Sequence, residues 1–295
     1  MDVELKIQET INKVTRKQKL KNYSKHPGSF LLALLTKLAI LLTVLALGFI
    51  LIYILVKGIP NLSTDLFALK YTTENVSMLP AIINTLIITL LSLCIAGPIG
   101  IFSAIYLVEY AKKGNKLVEV VRVTAETLTG IPSIVYGLFG MLFFVTTLKC
   151  GYSLLAGALT LSIMVLPVIM RTTEEALLAV PNSFREGSFG LGAGKLRTIF
   201  KIVLPSAVPG ILAGVILAIG RMVGETAALI YTAGTVAEIP SSIMSSGRTL
   251  AIHMYSLSKE GLYTDQAYAT AVVLLIVVVL INMLSNFVAK KFTKK

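Results

Sequence analysis

The sequence predicts an all-α polytopic membrane protein with six transmembrane helices and both termini in the cytoplasm. Hydrophobic residues make up 55% of the 295 residues, charged residues only 14%, and the mean hydropathy is +0.82. A soluble domain carries about 25% charged residues, because its surface must be hydrated. The net charge of +12 comes from Lys and Arg residues that fall between apolar runs, so they do not form one basic face for nucleic acid. Two cysteines, Cys94 and Cys150, are too few for a disulfide framework.

Six stretches are long and apolar enough to cross a bilayer, which takes about 20 residues. The first follows a polar, basic tail at residues 1–30 and has no small-residue cleavage site after it, so we expect a retained helix at 31–57. Between 127 and 170 the only charge is Lys149, and this stretch is about twice the length of a span, so a turn at 149–151 divides it. Within a membrane domain at 76–290, the predicted helices lie at about 79–108, 127–148, 152–170, 207–231 and 266–289.

Lys and Arg residues are concentrated on one side of these spans. The N-terminal tail, the loop that contains Lys112 and Arg122, the segment 171–205 and the C-terminal tail all carry several of them. The predicted outer loop 232–265 carries few. Basic loops stay on the cytoplasmic side of a membrane. We therefore expect both termini to be cytoplasmic.

The segment 171–205 is long for a connection between two membrane helices, which suggests that it has a function. Thr172 with Glu175, and Ser183 with Glu186, both fit the capping box, in which a hydroxyl and a carboxylate satisfy free backbone amides at a helix start. The segment is therefore predicted to form two or three short helices outside the bilayer.

The glycine-rich run at 190–195 superficially looks like a phosphate-binding loop. That motif needs Gly five residues before the Gly-Lys pair and Ser or Thr after it, but Phe189 and Leu196 occupy these places. The dinucleotide-binding pattern fails as well, because no strand precedes the run. We expect this chain to bind no nucleotide and no cofactor of its own.

A different spacing in the same segment resembles the EAA loop of ABC importer permeases, which reads Glu-Ala-Ala, three residues, Gly, nine residues and Ile-x-Leu-Pro. Here Glu186-Gly187-Ser188 is followed by Gly192 and by Ile-Val-Leu-Pro at 202–205, with small residues in place of the two alanines. The resemblance implies a type I ABC importer permease fold, whose coupling helices dock in a groove of a separate ATPase. The alternative is a helix that lies on the bilayer surface. The candidate coupling residues are Arg171, Glu174, Glu175, Glu186, Gly187, Ser188, Gly192, Leu204 and Pro205, and Pro205 is expected to end the loop before the membrane.

Two further stretches, 129–140 and 218–229, are similar to the phosphate ABC transporter permeases. The likeness covers about 84–231, and Glu-Thr-Ala-Ala at 225–228 favours the A-type permease over its C-type paralogue. It implies a membrane subunit without a catalytic site, in the plasma membrane of a prokaryote. The partners that it implies are a paralogous permease chain, a dimer of an ABC ATPase that binds the ATP, and an extracytoplasmic phosphate-binding protein.

Other interpretations stay open at this point. A permease for sulfate, molybdate or another oxyanion would share most of these features. An ion-coupled secondary transporter should show a pair of interrupted helices in two related halves, and the sequence contains no such repeat. A membrane-embedded enzyme would need a nucleophile with a base, and the sequence shows no such arrangement. It also shows no metal-ligand spacing of His, Cys and carboxylates.

Arg221 and Glu225 interrupt the fifth apolar stretch. A charged side chain in mid-helix costs about 2.5–3.5 kcal/mol on the insertion scale, so both are expected to face the interior of the bundle. Arg221 offers a planar fork that suits phosphate oxygens, which makes the two residues candidates for an anion pathway. Their i,i+4 spacing equally fits a structural ion pair that holds helix five to its neighbours.

The third predicted helix contains Gly130, Pro132 and Gly137. These residues are candidates for a kink or a gate. The alternative is close packing of membrane helices, where small residues are common.

Overall fold

A computed structural model describes residues 27–112 and 114–293, which fall into two compact units. The first unit ends at Val56, and its described part belongs to helix α1 (Pro27–Gly58). The last two residues of this helix belong to the second unit. Helix α1 covers the predicted span at 31–57, and none of its most apolar window is buried. Most of the predicted N-terminal tail lies outside the described residues.

The second unit is built from helices and loops in its described part. Helix α2 runs through Leu79–Tyr110 and ends in a π-helical turn. A second long helix, α5, spans Leu154–Leu178. The remaining helices are α3 (Lys116–Thr129), α4 (Ser133–Thr147), α6 (Asn182–Gly190), α7 (Lys195–Val223), α8 (Ala227–Ile230), α9 (Leu250–Glu260) and α10 (Thr264–Thr293). Short 3₁₀ turns at Ile59–Asn61 and Thr64–Phe67 connect α1 to α2.

The all-α membrane architecture is confirmed. Five helices of the described chain, namely α1, α2, α5, α7 and α10, are long and apolar enough to span a bilayer. A sixth span exists if α3 and α4 cross as one bent pair, with 104° between them. The helix predicted at 127–148 is thus divided between the end of α3 and α4. The break falls at Gly130 and Pro132, since the residue before a proline avoids the helical conformation.

Helix α5 lies at the centre of the bundle. Its most apolar window is 67% buried, and it packs against α2, α3, α4 and α7. The main apolar core forms around it, and its large members include Ile88, Leu161, Met164, Ile169, Met222 and Leu229.

The loop predicted at 171–205 begins later than expected, because α5 continues to Leu178. The Thr172 hydroxyl donates to the carbonyl oxygens of Val168 (2.9 Å) and Ile169 (3.2 Å) inside the helix, so it caps nothing. The predicted capping box was wrong, since a capping box requires a non-helical residue at its start and α5 is already helical there.

The end of the loop also differs from the prediction. Helix α6 begins after Pro181 without a side-chain cap, so Ser183 lies inside its first turn. Helix α7 begins at Lys195 and continues through Pro205, which was expected to stop it. A π-helical turn at Ile199–Val203 ends two residues before this proline. It widens the helix next to Pro205, which has no backbone N–H to donate.

The structure also differs from the predicted bounds of the fifth and sixth spans. The stretch 207–231 is divided, because α7 ends at Val223 and the separate short helix α8 follows. The predicted outer loop 232–265 contains α9, and α10 runs through the predicted 266–289.

Candidate translocation and coupling sites

Arg221 lies in the last turn of α7 and is half-buried. The opposite side of this helix is buried in the core through Ala218 and Met222. Ala213, Leu217, Arg221 and Gly224 share the other side, which we call the open face of α7, and Leu217 is 62% exposed there. Arg221 is thus a charged residue on a mainly apolar face that the described residues leave partly uncovered.

The alternative ion pair between Arg221 and Glu225 does not form in the structure. Glu225 is 9% exposed, and its Oε1 accepts a hydrogen bond from the backbone N–H of Ala228 at 3.1 Å. Helix α7 ends before Glu225, so the two side chains lose the i,i+4 geometry on which the expected pairing relied. No ion pair between described residues involves Arg221, and its role in an anion pathway stays a prediction.

The small residues of the third predicted helix have different surroundings. Gly130 ends α3, and Pro132 precedes the first residue of α4, so both lie at the bend. Gly137 packs against α8, where an added Cβ would lie 2.8 Å from the Cα of Ala228 and 3.1 Å from the carbonyl oxygen of Ala227. The structure thus shows a bend at the first two positions and close packing at the third, while a gating movement stays a prediction.

We expect Gly137→Ala to destabilise the protein by about 1–3 kcal/mol, because the new methyl group would press on backbone atoms that have no flexible end to move. Gly130→Ala is the matched control, since its Cβ would meet nothing closer than the Thr127 carbonyl oxygen at 3.5 Å. Thermal unfolding of the two purified variants in detergent measures the difference. Equal unfolding temperatures would show that α4 and α8 are not packed in this way.

The C-terminal end of α5 carries three of the predicted coupling residues, and two of them, Arg171 and Glu174, form ion pairs with α3. Glu174 accepts from Arg122 at 2.6 Å, and Arg171 lies 3.4 Å from Glu126 and 3.3 Å from Glu175. A cavity of about 270 Å³ lies among these side chains. Arg171, Glu174 and Glu175 therefore belong to α5 and to its contact with α3, and not to a loop.

Helix α6 presents much of its surface to solvent. Glu186 and Gly187 are exposed, and the apolar side chains of Phe184 (49%) and Phe189 (48%) are half exposed. Leu191, just after the helix, is 91% exposed. An apolar surface on a charged, polar segment is typical of a site that binds another protein.

The turn after α6 is fixed by internal contacts. Ser188 is buried, and its hydroxyl lies 2.8 Å from that of Thr198 in α7. Gly192 has a φ of +78°, a left-handed conformation that glycine adopts without strain. Leu204 and Pro205 lie inside α7 instead of at its start.

Arg185 is a residue that sequence reasoning missed. Its Nη2 and Nε donate to Glu109 Oε1 at 2.7 and 3.1 Å, and the side chains are 15% and 9% exposed. Arg185 also donates to the carbonyl oxygens of Val180 (2.8 Å) and Leu177 (3.0 Å) at the end of α5. One guanidinium thus fixes α6 to the ends of both α2 and α5.

No group of three His, Cys, Asp or Glu residues suited to a metal ion occurs in the described part of the chain.

Residues 96–295 match the family described as binding-protein-dependent transport system inner membrane component. The chain is 36% identical to a phosphate transport system permease protein PstA of Pasteurella multocida, with 87% of this chain and 92% of that protein covered. It is 32% identical to the probable ABC transporter permease protein YqgI of Bacillus subtilis, covering 82% and 88%.

The fold is similar to that of solved transporters at low sequence identity. A chain of a bacterial alginate ABC transporter, solved with an alginate-bound periplasmic protein, matches with a TM-score of 0.67 at 17% identity, and 92% of this chain and 98% of that chain are covered. A chain of the MetNI methionine ABC transporter in an inward-facing conformation matches with a TM-score of 0.57 at 20% identity, covering 82% and 98%. The helical architecture, the family match and these relatives together show that the chain belongs to the binding-protein-dependent transport system inner membrane component family and is an ABC importer permease with the type I fold.

Proposed function

We propose that this chain is the A-type permease subunit of an ATP-driven importer that moves inorganic phosphate into the cytoplasm. The observation that carries the proposal is Arg221, a half-buried guanidinium on the open face of α7 with no ion-pair partner among the described residues. A guanidinium in a membrane segment that is not paired within its own chain is suited to an anion that passes. The similarity to a protein named as a phosphate transport permease favours phosphate as that anion.

The path for the anion lies between this chain and a second, paralogous permease chain. An arginine that faced lipid would be costly, so the open face of α7 requires protein or water beside it. The exposed Leu217 on the same face favours protein contact over a wide aqueous channel. A second permease chain would cover Leu217 and leave Arg221 beside the path.

The remaining partners are proposed from the two ends of the helix bundle. Helix α6, with exposed Phe184 and Phe189, docks in a groove of an ABC ATPase, which binds the ATP. An extracytoplasmic phosphate-binding protein delivers the anion to the other end. The Lys and Arg residues of the tails favour a cytoplasmic location of both termini.

The test is uptake by the complete complex in liposomes, with ATP enclosed and the binding protein outside. We expect labelled phosphate to accumulate only with ATP, while the isolated chain binds no ATP because its glycine run lacks the residues of a phosphate-binding loop. Preferential uptake of sulfate or molybdate would assign a different anion. Uptake driven by an ion gradient without ATP would contradict the importer assignment.

The backbone conformation at Gly192 gives a second prediction. Gly192→Ala should weaken ATPase retention about five- to thirtyfold, because a left-handed alanine costs roughly 1–2 kcal/mol and the turn would relax away from its docked shape. Gly190→Ala is the matched control, since both glycines have open space around them but Gly190 lacks a positive φ. Co-purification of the ATPase with each variant measures the effect. Equal yields would count against a role of this turn in coupling.

A further inference from the structure

Unpartnered buried polar atoms are concentrated at one place in the described chain. Six of the seven buried side-chain polar atoms that lack a hydrogen-bond partner there belong to Asn84, Arg248, Thr249 and His253. Arg248, Thr249 and His253 are 6%, 2% and 0% exposed, respectively. Buried polar atoms are rarely left unpaired in native proteins, so a cluster of them requires an explanation.

Arg248 is the charged member of this cluster, and its surroundings hold it in place. Its backbone N–H donates to the carbonyl oxygen of Val236 at 2.8 Å, and its own carbonyl oxygen accepts from Asn84 Nδ2 at 3.2 Å. The guanidinium carbon lies 4.5 Å from the centroid of the Tyr71 ring. Tyr71 therefore covers one flat side of the guanidinium and leaves its edges available for hydrogen bonds.

The unpartnered atoms of Arg248 are Nε and Nη2, which form one edge of the guanidinium fork. Two parallel N–H groups on such an edge fit two oxygens of one oxyanion. No carboxylate of the described residues forms an ion pair with Arg248. A buried positive charge without a counter-charge is unfavourable, so this edge is suited to an anion from outside the chain.

Two neighbours add polar groups to the same place. Thr249 directly precedes α9, and its hydroxyl caps no backbone group of that helix. The ring of His253 lies perpendicular to that of Tyr71, with 6.2 Å between the ring centroids. Burial, together with the charge of Arg248, lowers the pKa of His253 to about 3. The imidazole is therefore neutral at pH 7, and because the Val76 backbone is a hydrogen-bond partner for its N–H, it offers a ligand one acceptor nitrogen.

We propose that Arg248, Thr249 and His253 form a binding site for an oxyanion of the phosphate class. The three donor groups, which are Nε and Nη2 of Arg248 and the hydroxyl of Thr249, suit the oxygens of one oxyanion. The unpartnered Oδ1 of Asn84 adds an acceptor for the hydroxyl of hydrogen phosphate, which sulfate lacks. The site therefore favours phosphate over sulfate.

The proposed site lies far from the coupling segment. Helix α5 begins at this end, where the N–H of Leu154 donates to the carbonyl oxygen of Ser245 at 3.1 Å, and it ends next to α6. Its length separates the two ends by about 37 Å at 1.5 Å per residue. The site thus belongs to the end of the bundle where an anion would enter or where lipid headgroups lie.

The oxyanion has two possible sources, free inorganic phosphate and the phosphate group of a lipid. The first arm of the test measures binding of labelled inorganic phosphate to the complete complex in dodecyl maltoside, without ATP, so that its outcome does not depend on transport. The second arm adds phosphatidylglycerol vesicles and measures the lipid that stays with the complex by native mass spectrometry. Each arm compares the wild type with Arg248→Lys, which keeps the charge but loses the fork, and with Lys259→Gln, which removes an exposed charge from the adjoining helix α9.

We expect Arg248→Lys to weaken phosphate binding at least about tenfold, because one of two charge-assisted hydrogen bonds is lost, and Lys259→Gln to bind as the wild type does. An Arg248-dependent loss confined to the lipid arm would support the site with a lipid phosphate as its source. Equal binding by all three proteins in both arms would overturn the proposal.

A variant-free measurement guards against misfolding of Arg248→Lys. An electron cryomicroscopy map of the wild-type complex with phosphate should show tetrahedral density against Nε and Nη2 of Arg248. A carboxylate of a partner chain against this edge, or an edge without density, would also overturn the proposal.

Discussion

Replacing Arg221 with glutamine should reduce phosphate uptake by the assembled complex about 100-fold, because charge-assisted hydrogen bonds to the anion are lost and no other donor replaces them. Arg221→Lys keeps the charge but lacks the planar fork, so an intermediate loss of about tenfold is expected. Uptake in liposomes, normalised to the amount of complete complex, measures both effects.

The double variant Arg221→Gln, Glu225→Gln separates a pathway role from a structural one. Glu225 accepts a hydrogen bond from the Ala228 N–H, and a glutamine amide oxygen can accept the same bond. The two residues form no ion pair with each other, so their effects should add instead of compensating, and the double variant should stay inactive. Recovery of transport in the double variant would show that the two charges compensate each other and would remove Arg221 from the anion path.

Replacing Arg185 with methionine should uncouple ATP hydrolysis from transport. The substitution leaves the carboxylate of Glu109 buried without its partner, and breaking a buried pair from one side costs roughly 3–5 kcal/mol. The same change frees the carbonyl oxygens of Leu177 and Val180 at the end of α5. Helix α6 would lose its fixed position, so we expect the ratio of phosphate transported to ATP hydrolysed to fall several-fold.

Two further variants control this experiment. Glu109→Gln with Arg185→Met removes both charges and should recover part of the stability, although the carbonyl contacts remain lost. Lys116→Met removes an exposed positive charge at the start of α3 and should leave the transport ratio unchanged. A normal ratio in Arg185→Met, at wild-type levels of assembled complex, would show that this contact does not transmit movement.

The sequence predicted the spans well because length and hydropathy decide them. It named Gly130 and Pro132 as candidates for a kink but did not give the size of the bend, since both lie in an apolar run that continues through it. The extension of α5 was missed for a related reason: Thr172 and Glu175 fit a capping box, but only the conformation of the preceding residue distinguishes a helix start from a helix interior. The local sequence pattern therefore predicted the type of each element more accurately than the residues at which the element begins and ends.

The candidate site was predictable only in part. Arg221 stands out in the sequence because a charge interrupts an apolar stretch. The contact between Glu109 and Arg185 gives no such signal, since the two residues are 76 positions apart and each lies in an ordinary charged segment. Arg248 and His253 lie in the predicted outer loop 232–265, and only the structure, in which both pack against Tyr71, shows that they are buried.

The continuity of α7 has a mechanical consequence. No loop interrupts this helix from Lys195, beside the coupling segment, to Arg221 near its far end. These residues are about 39 Å apart at 1.5 Å per residue. A tilt of about 6° around the end near α6 would therefore displace Arg221 by roughly 4 Å, more than the length of one hydrogen bond. Under the proposed function, the helix would act as a lever, and a small movement of the ATPase would be enough to bring Arg221 to the anion or to withdraw it.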